Sequence, residues 1–237
     1  MKNLAVVVVA GLSLSACVTI NAPMGSTDNG SSNGNVVTQY PVETALLNVY
    51  TKERSEQLYA VVDKQNIVAD IKVTPKGTVA FNNKSVKAAE INTVTKRYDQ
   101  ITNQSIATNY FTTNPLMFHG FTDNSGRYSL SNQTTVIPKM ASVGDSSALI
   151  TENVYSDSSM RKQTGTYKQS WSLTRESNNR AWLCIETSEN LLLNFDPNGT
   201  SLECYKINAQ GDVLASKITI SQPSKNGSTE AVTFISQ

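Results

Sequence analysis

A two-residue alternation of side-chain character is the feature that most constrains the fold of this chain. Between residues 167 and 174 two sets interleave: Tyr167, Gln169, Trp171 and Leu173 against Lys168, Ser170, Ser172 and Thr174. Because successive side chains of a β-strand point to opposite faces, the pattern predicts a strand with one buried face. Similar strand candidates recur about every ten to fifteen residues as far as Ile235.

Short turn signals separate these candidate strands. Four segments of hairpin length are rich in turn-forming residues: Glu176–Arg180, Asp196–Gly199, Asn208–Asp212 and Ser224–Ser228. No helical crossover pattern lies between them, which excludes a doubly wound α/β fold. The chain is therefore predicted to be mainly β, with an antiparallel meander curled into a barrel, a half-barrel or a sandwich.

The first part of the domain begins with one predicted helix and continues in strands. Apolar residues with helical spacing follow Pro41, a residue type favoured at helix starts: Val42, Ala45, Leu46, Val49 and Tyr50. Strands are predicted at 58–62, 67–73 and 78–81, with turns at 63–66 and at Pro75–Gly77. Residues 84–101 fit a helix face or a strand, and we favour the strand. Residues 39–237 are thus expected to form a single β-rich domain with one short N-terminal helix.

Large apolar side chains are densest between residues 106 and 130: Tyr110, Phe111, Leu116, Met117, Phe118, Phe121 and Tyr128. Such residues are mostly buried, so we expect them to pack between the helix and the sheet. A hydrophobic ligand cavity is the alternative.

Composition limits the function classes. The chain has 20 Lys and Arg against 19 Asp and Glu. A nucleic-acid binder needs a basic face to neutralise phosphates, so this balance argues against one. Ser, Thr and Asn make up 75 of the 237 residues, and such a polar surface is typical of an extracytoplasmic β protein.

The N-terminus predicts export and lipid attachment. Lys2 precedes an apolar run from Leu4 to Leu14, which is shorter than the ~20 residues of a membrane-spanning helix and matches a signal-peptide core. The run ends at Leu14, and the next three residues are Ser15, Ala16 and Cys17. This sequence resembles the lipobox of bacterial lipoproteins. An ordinary secretory signal that happens to precede a cysteine is the alternative.

The resemblance implies that residues 1–16 are removed and that Cys17 carries the lipid. Val18 stands where an Asp would signal inner-membrane retention in enterobacterial lipoproteins, which implies delivery to the outer membrane. The Gly-, Ser- and Asn-rich residues 17–38 then form a flexible tether between the lipid and the domain. The domain faces either the periplasm or the cell surface.

Cys184 and Cys204 remain after Cys17 is assigned to the lipid. Two cysteines in an oxidising compartment predict a disulfide. The Asp196–Gly199 turn lies between them, so they are expected on adjacent or nearly adjacent strands. A metal site is the alternative, but two cysteines without histidine support make a poor one.

No segment carries a recognisable catalytic pattern. His119 is the only histidine, and its apolar neighbours favour a structural role. Gly144-Asp145-Ser146 resembles the Gly-Asp-Ser of one esterase class, but that class's other motifs are missing, so we expect a turn. Neither type of phosphate-binding glycine loop is present. No catalytic residue, metal or cofactor is therefore predicted.

The expected function is a non-catalytic binding or envelope-accessory module anchored to the outer membrane. Its partners would be the membrane, through the N-terminal lipid, together with an envelope protein, a glycan or an apolar small molecule. The alternatives are a lipid carrier with a hydrophobic cavity, and a serine hydrolase of the envelope that uses Ser146 and His119.

Overall fold

The computed structural model describes residues 36–191, 199–223 and 229–236. Within these residues the chain forms one helix, α1 (Val42–Thr51), and fourteen strands. The strands are β1 (Gln39–Tyr40), β2 (Arg54–Val62), β3 (Gln65–Phe81), β4 (Lys84–Arg97), β5 (Gln100–Thr113), β6 (Leu116–Asp123), β7 (Tyr128–Asn132), β8 (Ala141–Ser142), β9 (Ser146–Tyr155), β10 (Gln163–Arg175), β11 (Arg180–Leu191), β12 (Thr200–Asn208), β13 (Val213–Pro223) and β14 (Thr229–Ser236).

Twelve of the described strands close into one antiparallel barrel. Their order around it is β10, β11, β12, β13, β14, β2, β3, β4, β5, β6, β7 and β9, and β1 pairs separately with β8. The prediction of a mainly β, antiparallel fold is confirmed, and of the three predicted shapes the barrel is the one formed. No helix in the described part of the chain has the length and apolar composition needed to cross a membrane.

Most predicted turns within the described residues are confirmed, and one is wrong. Hairpins turn between β2 and β3, between β10 and β11, and between β12 and β13. Pro75–Gly77 forms no turn, because β3 continues through it with a shift of register against β4. Such a bulge accepts a proline, whose nitrogen cannot donate to the ladder. Asp196–Asn198 and Ser224–Ser228 lie outside the described residues, and residues 84–97 are the strand β4.

The barrel has two ends. The end that carries the β5–β6 and β12–β13 turns is called the lower end, and the opposite end is called the upper end. α1 lies at the lower end. Glu43 donates its backbone N–H to the Pro138 carbonyl at 3.2 Å and accepts the Leu116 N–H at 3.1 Å, while the Asn48 amide donates to the Gly211 carbonyl at 2.9 Å. The apolar face of α1 is buried inside the barrel.

The number of strands explains why a helix is needed there. Eight strands enclose a space that side chains alone can fill, and barrel width grows with strand number. Twelve strands leave room for a further element, and a helix is about 10–12 Å across. At ten residues α1 is about 15 Å long, whereas the thirteen residues of β10 cover about 43 Å of tilted strand. α1 therefore fills only the lower part of the lumen.

The aromatic side chains of residues 106–130 lie on both the inner and the outer face of the barrel. Phe111 and Phe118 pack against Tyr50 of α1, with ring centroids 5.7 and 5.3 Å from it, as predicted. Tyr110 lies on the opposite face of β5, where Phe81 stacks on it at 3.9 Å. The tip of the long β3–β4 hairpin is therefore fixed to the outside of the barrel rather than to the core.

Two neighbouring pairs in the barrel have short ladders. β14 and β2 share two residue pairs, and β6 and β7 share one. At the β6–β7 junction side chains replace ladder bonds: the Ser129 hydroxyl accepts the Phe121 N–H at 2.7 Å. The backbones approach so closely that a Cβ on Gly120 would lie 2.1 Å from the Ser129 carbonyl oxygen, so only glycine fits.

Candidate functional site

The predicted cysteine pair is brought together, and Cys17 lies outside the described residues. Cys184 of β11 and Cys204 of β12 face each other directly in the register. Their sulfur atoms are 2.11 Å apart and form a disulfide. The pair lies on the outer face of the barrel because its neighbours Leu183 and Tyr205 point inward.

The predicted hydrolase residues are not joined by a hydrogen bond. His119 lies in β6, and its Nε2 is buried without a hydrogen-bond partner. Burial lowers the pKa of His119, and the nearby Lys84 ammonium lowers it further. Ser146 is exposed at the start of β9, with β7 between β6 and β9. Gly144 and Asp145 form the predicted turn, in which the Asp145 carboxylate accepts the Ser142 N–H at 2.7 Å.

The most distinctive interior surface is the wall of the lumen above α1. A cluster of apolar side chains points inward from β2, β3 and β14: Leu58, Ala60, Ile67, Ala69, Ile71 and Phe234. Further apolar side chains pack against this cluster but are only half-buried: Val62, Ile218, Ile220 and Val232. Solvent therefore reaches apolar surface inside the barrel, which is unusual because a filled core would exclude it. We call these ten residues the apolar wall.

Polar side chains adjoin the apolar wall on β3, β4 and β5. The register pairs Thr95 with both Ala69 and Asn103, and pairs Arg97 with Ile67, so these side chains share the inner face. Four of their atoms are buried without a hydrogen-bond partner: Gln65 Oε1, Thr95 Oγ1, Arg97 Nε and Asn103 Nδ2. We call Gln65, Thr95, Arg97 and Asn103 the polar cluster.

Unpartnered polar atoms of this kind require an explanation. Leaving a buried donor or acceptor unpaired costs about 1–3 kcal/mol, and native proteins pair nearly all such groups. Four of them lie together here, on three adjacent strands near the upper end. Thr95 is only 1% exposed, so the chain itself holds its hydroxyl away from bulk water. The arrangement can donate hydrogen bonds to a molecule that enters the lumen.

A network of ionisable groups lies on the inner faces of β2, β12 and β13. Arg54 forms an ion pair with Glu56 at 3.0 Å, and the hydroxyl of Ser216 on β13 donates to Glu56 on β2. The Tyr205 hydroxyl donates to Glu203 at 2.8 Å, and Arg54 lies 5.4 Å from the centre of the Tyr205 ring. Burial raises the pKa of both Glu203 and Tyr205. The network also joins β2 to β12 and β13, beside the short β14–β2 ladder.

Glu152 is a buried carboxyl group on β9, on the inner face beside Tyr167. It is 6% exposed and has neither an ion-pair nor a hydrogen-bond partner in the described parts of the chain. Burial raises the pKa of Glu152 from its ordinary 4.5 to about 8. The carboxyl group is thus mostly protonated at neutral pH and can donate a hydrogen bond into the lumen.

Residues 36–191, 199–223 and 229–236 contain no group of three or more potential metal ligands.

The sequence did not predict the polar cluster or the ionic network. The signal was weak, because Thr93, Thr95 and Arg97 alternate with Asn92, Val94 and Lys96, and both sets are largely polar. Comparison of the chain with protein-family models, with curated proteins and with solved structures finds no match.

Proposed function

We propose that this chain is an outer-membrane lipoprotein, anchored through Cys17, whose barrel binds a small amphipathic molecule in the upper lumen. The observation that carries the binding function is the apolar wall, four of whose residues are only half-buried, directly beside the polar cluster. An apolar group against the wall would be removed from water, at about 25 cal/mol per Å². A polar group on the same molecule would pair with donors that lack partners in the chain.

The anchor is supported by the succession Leu14, Ser15, Ala16 and Cys17 after a short apolar run. Residues 18–38 would then separate the lipid from β1. A Cys17→Ser variant removes the acceptor thiol, so it should no longer incorporate labelled palmitate, whereas the unaltered chain should. Equal labelling of the two, or no labelling of the unaltered chain, would contradict the anchor without bearing on the lumen.

The binding function is tested with N-phenyl-1-naphthylamine, an uncharged probe whose fluorescence rises in apolar surroundings. Residues 17–237 carrying Cys17→Ser have neither the lipid nor the apolar segment before it, so they avoid detergent, which would compete for apolar sites. We expect saturable binding with one site per molecule. The matched variants are Val62→Trp, which places a large ring on the apolar wall near the upper end, and Val61→Trp, whose position on the opposite face is 70% exposed.

Val62→Trp should weaken probe binding at least ten-fold, because its indole ring occupies the wall. Val61→Trp should change it less than two-fold, because successive side chains of β2 point to opposite faces. Equal effects of the two variants would place the probe outside the lumen. That result, or the absence of saturable binding, would overturn the proposed binding function.

A further inference from the structure

We propose that the ligand of the upper lumen carries a carboxylate, which Arg97 binds at the edge of the apolar wall. The ligand class is therefore an apolar-tailed monocarboxylate. This inference rests on the proposed binding function and specifies which chemistry the polar cluster recognises.

The charges inside the barrel supply the first argument. Two inward-facing arginines have acidic partners: Arg54 pairs with Glu56 at 3.0 Å, and Arg127 pairs with Asp123 at 2.6 Å. Arg97 is half-buried and has neither an ion-pair nor a hydrogen-bond partner in the parts of the chain that the structure describes. A partly buried cation without a counterion is unfavourable, and an anionic ligand group would supply the counterion.

The hydrogen-bonding groups around Arg97 supply the second argument. Arg97 Nε, Thr95 Oγ1 and Asn103 Nδ2 are all donor atoms, and all three lack partners. A carboxylate has two oxygens that accept about four hydrogen bonds, and it matches the planar fork of a guanidinium. Gln65 Oε1 is an acceptor, so it is suited to hold the guanidinium rather than the carboxylate.

The apolar wall supplies the third argument. Arg97 pairs directly with Ile67, so the cationic group stands at the edge of the wall. From Ile67 the inner face of β3 continues through Ala69 to Ile71, a length of about 13 Å at ~3.3 Å per residue. An unbranched tail of about ten carbons would lie along this wall while its carboxylate stays at Arg97.

Decanoate and 1-decanol test the inference, because they share a tail and differ in the carboxylate. Each is titrated against bound N-phenyl-1-naphthylamine at pH 7 and low salt. The variants are Arg97→Gln and, as the matched control, Arg161→Gln, which changes an exposed arginine in the β9–β10 turn at the same end of the barrel. Circular dichroism melting verifies that each variant is folded.

We expect decanoate to displace the probe at a concentration at least ten-fold lower than 1-decanol. Arg97→Gln should remove that preference while leaving 1-decanol within two-fold, and Arg161→Gln should leave both unchanged. Thr95→Val, which keeps the side-chain shape but removes the donor, should weaken decanoate about three- to ten-fold. This second variant keeps the test valid if Arg97→Gln does not fold.

Equal displacement by the two compounds, or equal weakening of both by Arg97→Gln, would overturn the carboxylate inference. The proposed binding function would stand in that case, since the probe still binds. If the probe itself does not bind in the lumen, the proposed function fails first, and the carboxylate inference fails with it.

Discussion

The lower and upper parts of the lumen are enclosed by the same strands but filled in different ways. Below, α1 and large inward side chains such as Leu173, Leu183 and Ile207 form a core in which each of these residues is 0% exposed. Above, part of the apolar wall is only half-buried, and four polar atoms beside it have no hydrogen-bond partner. The comparison shows that the barrel wall provides a frame, while its inward residues decide whether a region is core or site.

The largest expected effect comes from loosening the lower part. Leu46 of α1 is 1% exposed within the lower core. Leu46→Ala should lower the free energy of unfolding by about 2–5 kcal/mol, because it removes buried methyl groups and leaves a cavity. Denaturant titration measures the change, and Thr44→Ala on the exposed face of α1 is the control. A loss below about 1 kcal/mol would mean that α1 is not part of the core.

The next effect should depend on pH and belong to the upper part. Because the folded-state pKa of Glu152 is raised to about 8, its carboxyl group favours folding below pH 4.5. That contribution is lost as the pH rises from 4.5 to 8, because the unfolded chain releases the proton in this range while the folded chain keeps it. Glu152→Gln should therefore change stability little at pH 4 and increase it by up to about 5 kcal/mol at pH 9.

Denaturant titrations at pH 4 and at pH 9 test this prediction for Glu152. Glu186→Gln is the control, because Glu186 lies on the outer face of β11, which β10 separates from β9. A Glu152→Gln effect of equal size at both pH values would contradict the burial of Glu152 as an isolated acid. The comparison between the two parts of the lumen would then lose its strongest electrostatic difference.

The smallest effect concerns a single hydroxyl. Thr187 is 0% exposed, and its Oγ1 has no hydrogen-bond partner. Thr187→Val keeps the shape and removes the unpaired group, so it should stabilise the protein by about 1 kcal/mol. Thermal unfolding measures the change, and Thr174→Val at an exposed position is the control. Destabilisation by Thr187→Val would mean that its hydroxyl is paired in solution.

Part of the fold could be predicted from local pattern alone. The alternation around Trp171 predicted β10, and the helical spacing around Leu46 predicted α1. The turn at Pro75–Gly77 was predicted wrongly because a proline close to a glycine is typical of a turn, whereas pairing with β4 over fourteen residue pairs keeps β3 continuous through a bulge. The candidate site was not predicted, because Thr95, Arg97 and Asn103 are polar residues in strands with polar residues on both faces.

The sequence by itself determined the mainly β class, the helix α1, strands such as β10, and a Cys184–Cys204 pair on adjacent or nearly adjacent strands, because each depends on residues close along the chain. Only the tertiary structure decided that β14 meets β2, that α1 enters the lower lumen and that Arg97 faces the apolar wall. These features join residues far apart in sequence, such as Glu56 and Ser216. Alternation assigns side chains to two faces of a strand, but only closure of the barrel decides which face becomes the inside.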